Sequence, residues 1–511
     1  MTKFWRWACA ICGGVVLWLA FPPVNIGWFA IFGVALIIAS LFLARPRQAF
    51  GLGFLASSIF FLLLLHWLTI VGIDAWILLS LVCAAWFGLM GVVICLATRN
   101  RWWPLLVPGV WIAQEWIRGS WPFGGFPWGT LAFSQVETPM GKMATVLGLL
   151  GDSGWVVLSA SLLVLAVQHV MIKKRQSAVI AGAGACLLIM LPGVIALPHH
   201  GDNHGGVAST RIGVVQGGTP SLGMNAFDVR RAVLDNHVRE TMQLARDVDH
   251  NVSQAPAFVL WPENSSDLDP YLDQAASAAI GVAARSINVP ILIGAVVSNP
   301  QDSNTVLNAG ILWDPTTGAG QQYNKTHPVP FGEYIPFREI LAPLIDRFDR
   351  IGRDFAAGTS TGIFQIGDVD AGNVICFEIA YNSVISPLIS QGARVLTVQT
   401  NNATYAGTAQ PDQQFMIERM RALETGRSVV VAATTGISAF INPDGSVLSQ
   451  INEGETGSMV RSVALRGQRN LGSHVGSLVV FLWGLGSVGV VFVLSARAVR
   501  DRRRGQHKVV K

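Results

Sequence analysis

A chain of 511 residues with 51% hydrophobic and 13% charged side chains is too apolar for a soluble globular protein and too long for one ordinary domain. Its formal charge of +5 sits mostly in short connectors and in a tail holding Arg500, Arg502, Arg503, Arg504, Lys508 and Lys511. That placement speaks for membrane topology and against nucleic acid as a partner.

Apolar runs occur at about 8 to 20, 26 to 44, 50 to 67, 76 to 97, 103 to 117, 153 to 171, 178 to 196 and 476 to 497, each near the length that crosses a bilayer. The fifth is short and flanked by polar residues. Lys3 and Arg6 precede the first, as in a secretory signal, but Phe21, Pro22 and Pro23 follow in place of a small-residue cleavage site, so a retained helix is expected. Tryptophan agrees with this division, because fourteen of the seventeen precede residue 156 and Trp483 lies near the C-terminus. Trp favours the membrane interface, and only Trp261 and Trp313 fall in the long middle stretch, which reads as soluble.

Connectors at Arg45 and Arg47, at Arg99 and Arg101, and at Lys173, Lys174 and Arg175 are basic, whereas 21 to 25 and 68 to 75 carry no Lys or Arg. With eight spans this predicts both termini inside and the middle stretch outside. The expected division is a seven-helix bundle over 1–197, an extracytoplasmic domain over 198–474, and an eighth helix with a basic tail over 475–511. Glu115 and Arg118, three apart at a membrane edge, could pair or face a cavity, and no catalytic role is expected of them.

Cys9, Cys12, Cys83, Cys95 and Cys186 fall in the predicted spans and read as small buried hydrophobes. Cys376 is the one cysteine of the middle stretch. With no disulfide partner there, it is either an inert core thiol or a reactive one.

Strand and helix patterns alternate through this stretch. TRIGVVQGG reads as a strand, Asp228 to Val248 as a helix, AFVLWPE (257 to 263) as a strand, and Gln274 to Ile287 as a helix ahead of the strand ILIGAVVS. The segments VLNAGILWD, QQYNKTH, GIFQIGD and GNVICFE form a meander. A helix over 379 to 390, the strand RVLTVQT, a helix over 411 to 427, the strand SVVVAAT and a hairpin at PDGS complete a layered α/β sandwich. Glu263, Lys325 and Cys376 stand at strand ends, where open α/β sheets place their chemistry. A thiol before a helix N-terminus can act as a nucleophile, a carboxylate can take its proton, and a lysine can stabilise the oxyanion formed on attack.

WPE at 261 to 263, YNKTHPVPFGEYIPFR at 323 to 338 and CFE at 376 to 378 resemble, in order and context, the three signature segments of the nitrilase superfamily. Joined to eight spans, and with Gly125, Phe126, Pro127 and Trp128 following Glu115 and Arg118, the whole chain resembles the apolipoprotein N-acyltransferase family. The resemblance implies a nitrilase-like αββα sandwich with Glu263 as general base, Lys325 as oxyanion-stabilising cation and Cys376 as nucleophile. It extends to Glu333 and Glu378 as supporting carboxylates, and the backbone N–H of Phe377 could complete an oxyanion hole. The chain departs from the family at Asn401 to Gly407, where an Asn-Asp-Ala-Trp-Phe-Gly segment is common, at the Trp-free loop Ser221 to Asn225 with Met224, and at Phe377, where Tyr is frequent.

What the resemblance further implies is acyl transfer in a bacterial inner membrane, from a phospholipid through a Cys376 thioester to the α-amino group of a diacylated apolipoprotein. No cofactor or metal is expected, and His199, His200 and His204 read as a polar juxtamembrane loop. Phe331, Tyr334, Ile335, Phe337 and Leu341 are placed to dip into the interface or to pack on the chain's own helices. The alternatives are a membrane-tethered amidase, in which the same three residues pass the acyl group to water, and a non-enzymatic transporter or scaffold.

Overall fold

A computed structural model describes residues 3–195, 208–223, 231–344, 348 and 352–509. The chain forms two compact units, residues 1–196 with 470–511, and residues 197–469.

The first unit is helical, because an apolar segment without water must satisfy its backbone internally. Its main helices are Lys3–Trp18, Phe29–Leu41, Pro46–Leu64, Ile73–Ala97, Trp103–Arg118, Leu149–Met171 and Arg175–Met190, with a last helical segment from Leu471. Among the described residues five segments are long and apolar enough to cross a membrane: Pro46–Leu64, Ile73–Ala97, Leu149–Met171, Arg175–Val194 and Leu471–Arg500. Phe29–Leu41 has 13 residues, and Lys3–Trp18 and Trp103–Arg118 have 16 each. At about 1.5 Å per residue these give roughly 20 to 24 Å, against a hydrocarbon core of about 30 Å.

Small residues let the helices meet closely. A Cβ on Gly14 would stand 2.2 Å from the Ala56 carbonyl oxygen, so these two helices touch backbone to backbone. Glu115 and Arg118, which could pair or face a cavity, each bind the irregular segment that follows their helix. Glu115 Oε1 accepts from Trp111 Nε1 (3.0 Å) and from the Leu131 N–H (2.8 Å). Arg118 Nη1 donates to the Phe126 and Trp128 carbonyls (2.5 and 2.7 Å). Irregular backbone at 126–131 has no helical partners, and these two side chains supply them. Cys83 and Cys95 are buried, but Cys12 and Cys186 are exposed, contrary to the reading of all five as buried. A helix face turned to lipid needs no protein cover.

The second unit is built from thirteen described strands. In chain order they are β1 Ser209–Gln216, β2 Phe258–Leu260, β3 Ile291–Ser298, β4 Thr305–Asp314, β5 Gly318–Asn324, β6 Asp354–Phe355, β7 Ile363–Ile366, β8 Val369–Ile375, β9 Val395–Thr400, β10 Val429–Ala433, β11 Ser438–Ile441, β12 Val447–Ile451 and β13 Gly457–Ala464. One sheet runs β13-β1-β2-β3-β4-β5 with β6 beside β4, and the other β12-β11-β10-β9-β8-β7.

Parallel pairs β1/β2 and β2/β3 require crossovers, which the helices Ala232–Asp249 and Gln274–Ile287 supply. Asn382–Ser390 and Gln410–Thr425 do the same for β8/β9/β10. Side-chain alternation then makes four layers. Phe258 and Leu260 pack with Phe364, Ala371, Ile375, Val430 and Ala432 between the sheets. Val259 and Trp261 turn the other way, onto Leu244, Ala276, Ile280 and Ala284 of the helices. This is the expected α/β sandwich of two helix-covered sheets.

The structure departs from the sequence reading at several points. The strand drawn to Glu263 stops at Leu260, because Pro262 lacks the N–H a sheet ladder needs. β13 went unanticipated, and it pairs with β1 across the whole length of the domain. The helix expected over 379–390 begins as a 3-10 turn at Cys376–Ala380 before Asn382–Ser390. The helix expected from Asp228 is described from Ala232. Met224, Asn225, His199, His200 and His204 lie outside the described residues.

Candidate active site

Glu263, Lys325 and Cys376 each sit just past a strand of the second unit. Glu263 follows β2 in a turn held on two sides. Ser265 Oγ donates to the Gly294 carbonyl (3.0 Å) and accepts from its N–H (3.1 Å). Gly294 is needed there, since a Cβ would lie 2.2 Å from the Pro262 carbonyl oxygen. From the second sheet, Thr434 Oγ1 donates to the Glu263 carbonyl (3.1 Å).

Lys325 follows β5. Its N–H donates to the Asn308 carbonyl on β4 (2.8 Å), and its own carbonyl accepts from Gly358 N–H (2.8 Å). Cys376 follows β8 with φ of +57°, in the left-handed region that favours glycine. A side chain held there stores strain, which the surroundings must over-determine. Glu378 does so, accepting from the Ile375 N–H (2.9 Å) on one side of the cysteine. Arg421 holds the other side, donating to the Ile379 and Ala380 carbonyls at 2.8 Å each.

Glu263, Lys325 and Glu333 meet directly. Lys325 Nζ lies 2.8 Å from Glu333 Oε1 and 3.2 Å from Glu263 Oε1. Asn308 Nδ2 donates to both carboxylates, at 2.7 Å to Glu263 Oε1 and 3.0 Å to Glu333 Oε1. Glu333 Oε2 also accepts from Val329 N–H (2.7 Å). Cys376, Glu263 and Lys325 are 5%, 4% and 2% exposed, so these charges act on one another with little solvent screening.

Burial raises the Glu263 carboxyl above the ordinary range, and Glu333 adds to this against the pull of Lys325 and the Asn308 amide. Burial works against the Lys325 charge, but Glu263 and Glu333 outweigh it and hold the ammonium firmly protonated. The Cys376 thiol is pushed up by burial and by the Glu263 charge, against the opposing pull of Lys325. At rest the sulfur is therefore a thiol. The turn that begins at Cys376 is five residues long and supplies no helix N-terminus able to offset this, so ionisation requires an adjacent base.

Glu378 is placed differently from Glu333. Its carboxylate accepts from Tyr323 Oη at 2.9 Å on both oxygens, from Thr326 N–H (2.7 Å), Thr326 Oγ1 (2.9 Å) and His327 N–H (3.2 Å). It thus ties the segment after Lys325 to the turn after Cys376 and does not hold the ammonium. Phe377, next to the sulfur, packs against the core between the sheets. In the 329–338 loop Phe331 and Phe337 are exposed, but Ile335 is buried and cannot reach an interface, and the Leu341 side chain lies outside the described residues. Arg338 pairs with Asp354 (2.6 Å) and secures this loop to β6.

Sequence reasoning passed over Asn308 and Arg421. A buried Asn inside the apolar strand VLNAGILWD was the available signal for the first, since such an amide needs partners.

Two sheets between helix layers, with a buried thiol beside a lysine and two carboxylates, define a carbon-nitrogen hydrolase type of domain, and the Carbon-nitrogen hydrolase family matches residues 240–470. The Apolipoprotein N-acyltransferase N-terminal domain matches residues 13–162. An apolipoprotein N-acyltransferase of Mycolicibacterium smegmatis is 38% identical over 468 residues, covering 87% of this chain and 77% of that one. Those of Gloeobacter violaceus and Coxiella burnetii are 29% and 27% identical, covering 85% and 86% of this chain and 84% and 90% of theirs. Among solved structures, an amidase from Nesterenkonia sp. AN1 is similar to 54% of this chain and 99% of its own, at 15% identity and a TM-score of 0.39. The chain belongs to the apolipoprotein N-acyltransferase family.

Proposed function

We propose that the chain moves a fatty acyl group from a phospholipid, through a thioester on Cys376, to the α-amino group of the S-diacylglyceryl cysteine at the N-terminus of a lipoprotein. The observation that carries this reading is the Lys325 ammonium, buried between Glu263 and Glu333, in a chain that also holds long apolar helices. Family membership favours transfer to an amine over hydrolysis by an amidase.

Glu263 takes the Cys376 proton as the sulfur attacks the ester carbonyl carbon. Its raised affinity for protons suits it to hold that proton until needed. Negative charge develops on the carbonyl oxygen, where Lys325 and the Phe377 N–H stabilise it. The carbon–oxygen ester bond breaks, Glu263 returns the proton to the leaving alkoxide, and lysophospholipid departs. In the second half the amine attacks the thioester and loses a proton to Glu263, the carbon–sulfur bond breaks to give an amide, and Glu263 returns that proton to the departing sulfur to restore the thiol. Glu333 keeps Lys325 charged and aimed, while Glu378 fixes the segment beside it. Water, metal and nucleotide take no part.

Both substrates carry acyl chains, and confinement to their plane raises the effective concentration of each. The reading includes eight spans, an extracytoplasmic catalytic domain and cytoplasmic termini, supported by the basic connectors. Exposed Phe331 and Phe337 are the side chains that would enter the interface. Incubation of the full-length protein with phospholipid and a diacylated lipopeptide tests the reading. Lysophospholipid and N-acylated lipopeptide should appear in equal amounts; free fatty acid without N-acylated product would overturn it.

A further inference from the structure

Two connectors at one end of the helical unit dock on each other and carry four arginines that the acyl transfer does not employ. The segment between the helices Phe29–Leu41 and Pro46–Leu64 turns through Leu43, whose φ of +52° is left-handed and strained for a branched side chain. Its N–H donates to Thr98 Oγ1 (3.1 Å), and Arg99 Nη2 donates to the Ala44 carbonyl (3.4 Å). Phe42 and Trp103 meet edge to face beside these bonds, with ring centroids 5.5 Å apart. The two connectors are thereby fixed together, and Arg45, Arg47, Arg99 and Arg101 are all exposed on them.

We propose that these four guanidinium groups bind the headgroup of an anionic phospholipid. The site makes no use of Cys376 and requires only that the helices lie in a bilayer.

Charge balance carries the assignment. Among the described residues none of the four takes part in an ion pair. Asp74 is the one acidic residue within 1–114, and it lies in the first turn of Ile73–Ala97, a helix of 25 residues whose far end leads into Thr98. At about 1.5 Å per residue the separation is roughly 37 Å, well past a screening length of about 8 Å. The helix Pro46–Leu64 adds to the positive potential. It starts between Arg45 and Arg47, with no acidic residue in its first turn and no side-chain cap, so its first N–H groups stay open to an anion.

Topology alone is served equally well by lysine, as at Lys173, Lys174 and Arg175. All four positions here are arginine, whose planar fork matches the free oxygens of a phosphodiester and stacks on aromatic rings. Arg101 already lies over the Trp102 ring, its Cζ 5.1 Å from the centroid. Arg6 is set apart from the cluster, because its Nη1 donates to the Ser40 and Phe42 carbonyls (2.8 Å each). Exposed Leu43, Phe50 and Trp102 supply the apolar rim that an acyl chain needs beside its headgroup, which favours a lipid over a free anion.

Native mass spectrometry of the full-length protein in detergent tests the site, with diether phosphatidylglycerol as the probe, because its ether-linked chains offer Cys376 no ester to attack. Lipid held elsewhere on the protein is common to all variants. Wild type should retain the probe more tightly than diether phosphatidylcholine. Arg45→Gln with Arg47→Gln should weaken retention roughly 25-fold, at about 5-fold for each charge near the membrane surface, and Arg99→Gln with Arg101→Gln should match it. Changing all four to Lys keeps the charge that guides membrane insertion and should still weaken retention, since an ammonium lacks the fork. Lys173→Gln with Lys174→Gln should leave retention unchanged. Equal loss in that lysine pair, or wild-type retention in either arginine pair or in the four-lysine variant, would overturn the proposal. So would displacement of the probe by an equal concentration of glycerol 3-phosphate, which carries the anion without the chains.

Discussion

Glu333 Oε1 lies 2.8 Å from Lys325 Nζ, closer than the carboxylate assigned as base, and the two residues are joined by only seven intervening positions of one loop. Glu333 is thereby the counter-ion that leaves Glu263 free to exchange protons. Glu333→Gln should keep the Val329 contact and lose the charge that aims Lys325. Cys376 acylation should slow roughly 100-fold with phospholipid affinity little changed, as read from single-turnover rates against phospholipid concentration. An unchanged rate would remove Glu333 from the machinery.

Asn308 donates to Glu263 and Glu333 from one amide nitrogen. Replacing it with Leu leaves the buried Glu263 carboxylate and the half-buried Glu333 carboxylate short of a donor, at about 1 to 3 kcal/mol for the buried one. Asn308→Leu should therefore unfold at a lower temperature in detergent and acylate more slowly, whereas Asn308→Gln should recover part of both only if its longer amide reaches the same oxygens.

Acylation should depend on pH through Glu263. Its carboxyl is raised above 4.5 by burial and by Glu333, and it must be ionised to accept the thiol proton. As pH falls through this raised value the base is lost, so the acylation rate should drop with a midpoint above 4.5. A midpoint at or below that of a free carboxylate would show that another group takes the proton.

His237 should set an acid limit on stability. It is fully buried, its Nδ1–H donates to the Val233 carbonyl (2.7 Å), and its Nε2 accepts from the Gly217 N–H (3.2 Å). The bond accepted at Nε2 needs the neutral ring, and burial lowers its pKa from 6.5 to about 4. Because the folded value is the lower one, the stability is present above pH 6.5 and is lost as pH falls toward 4, by about 3 kcal/mol in all. Denaturant unfolding across that range should show the decline, and His237→Leu should flatten it.

The three residues at strand ends were legible because each combines a reactive side chain with a β-to-loop transition, at WPE, YNK and VIC. Asn308 was not, since its importance arises from register: Lys325 N–H meets the Asn308 carbonyl across β5 and β4. The left-handed Cys376 replaces an expected helix start by a tight turn, which periodicity does not encode. Similarly, β13 pairs with a strand at the opposite end of the domain, and local pattern carries no such information.

Formation of a covalent acyl group on Cys376 is tested most directly by the mass of the intact full-length protein after incubation with phospholipid. The expected result is an increment of one fatty acyl chain, mapped to Cys376 and removed when a diacylated lipopeptide is added. No increment on the wild type, or the same increment on Cys376→Ala, would contradict it.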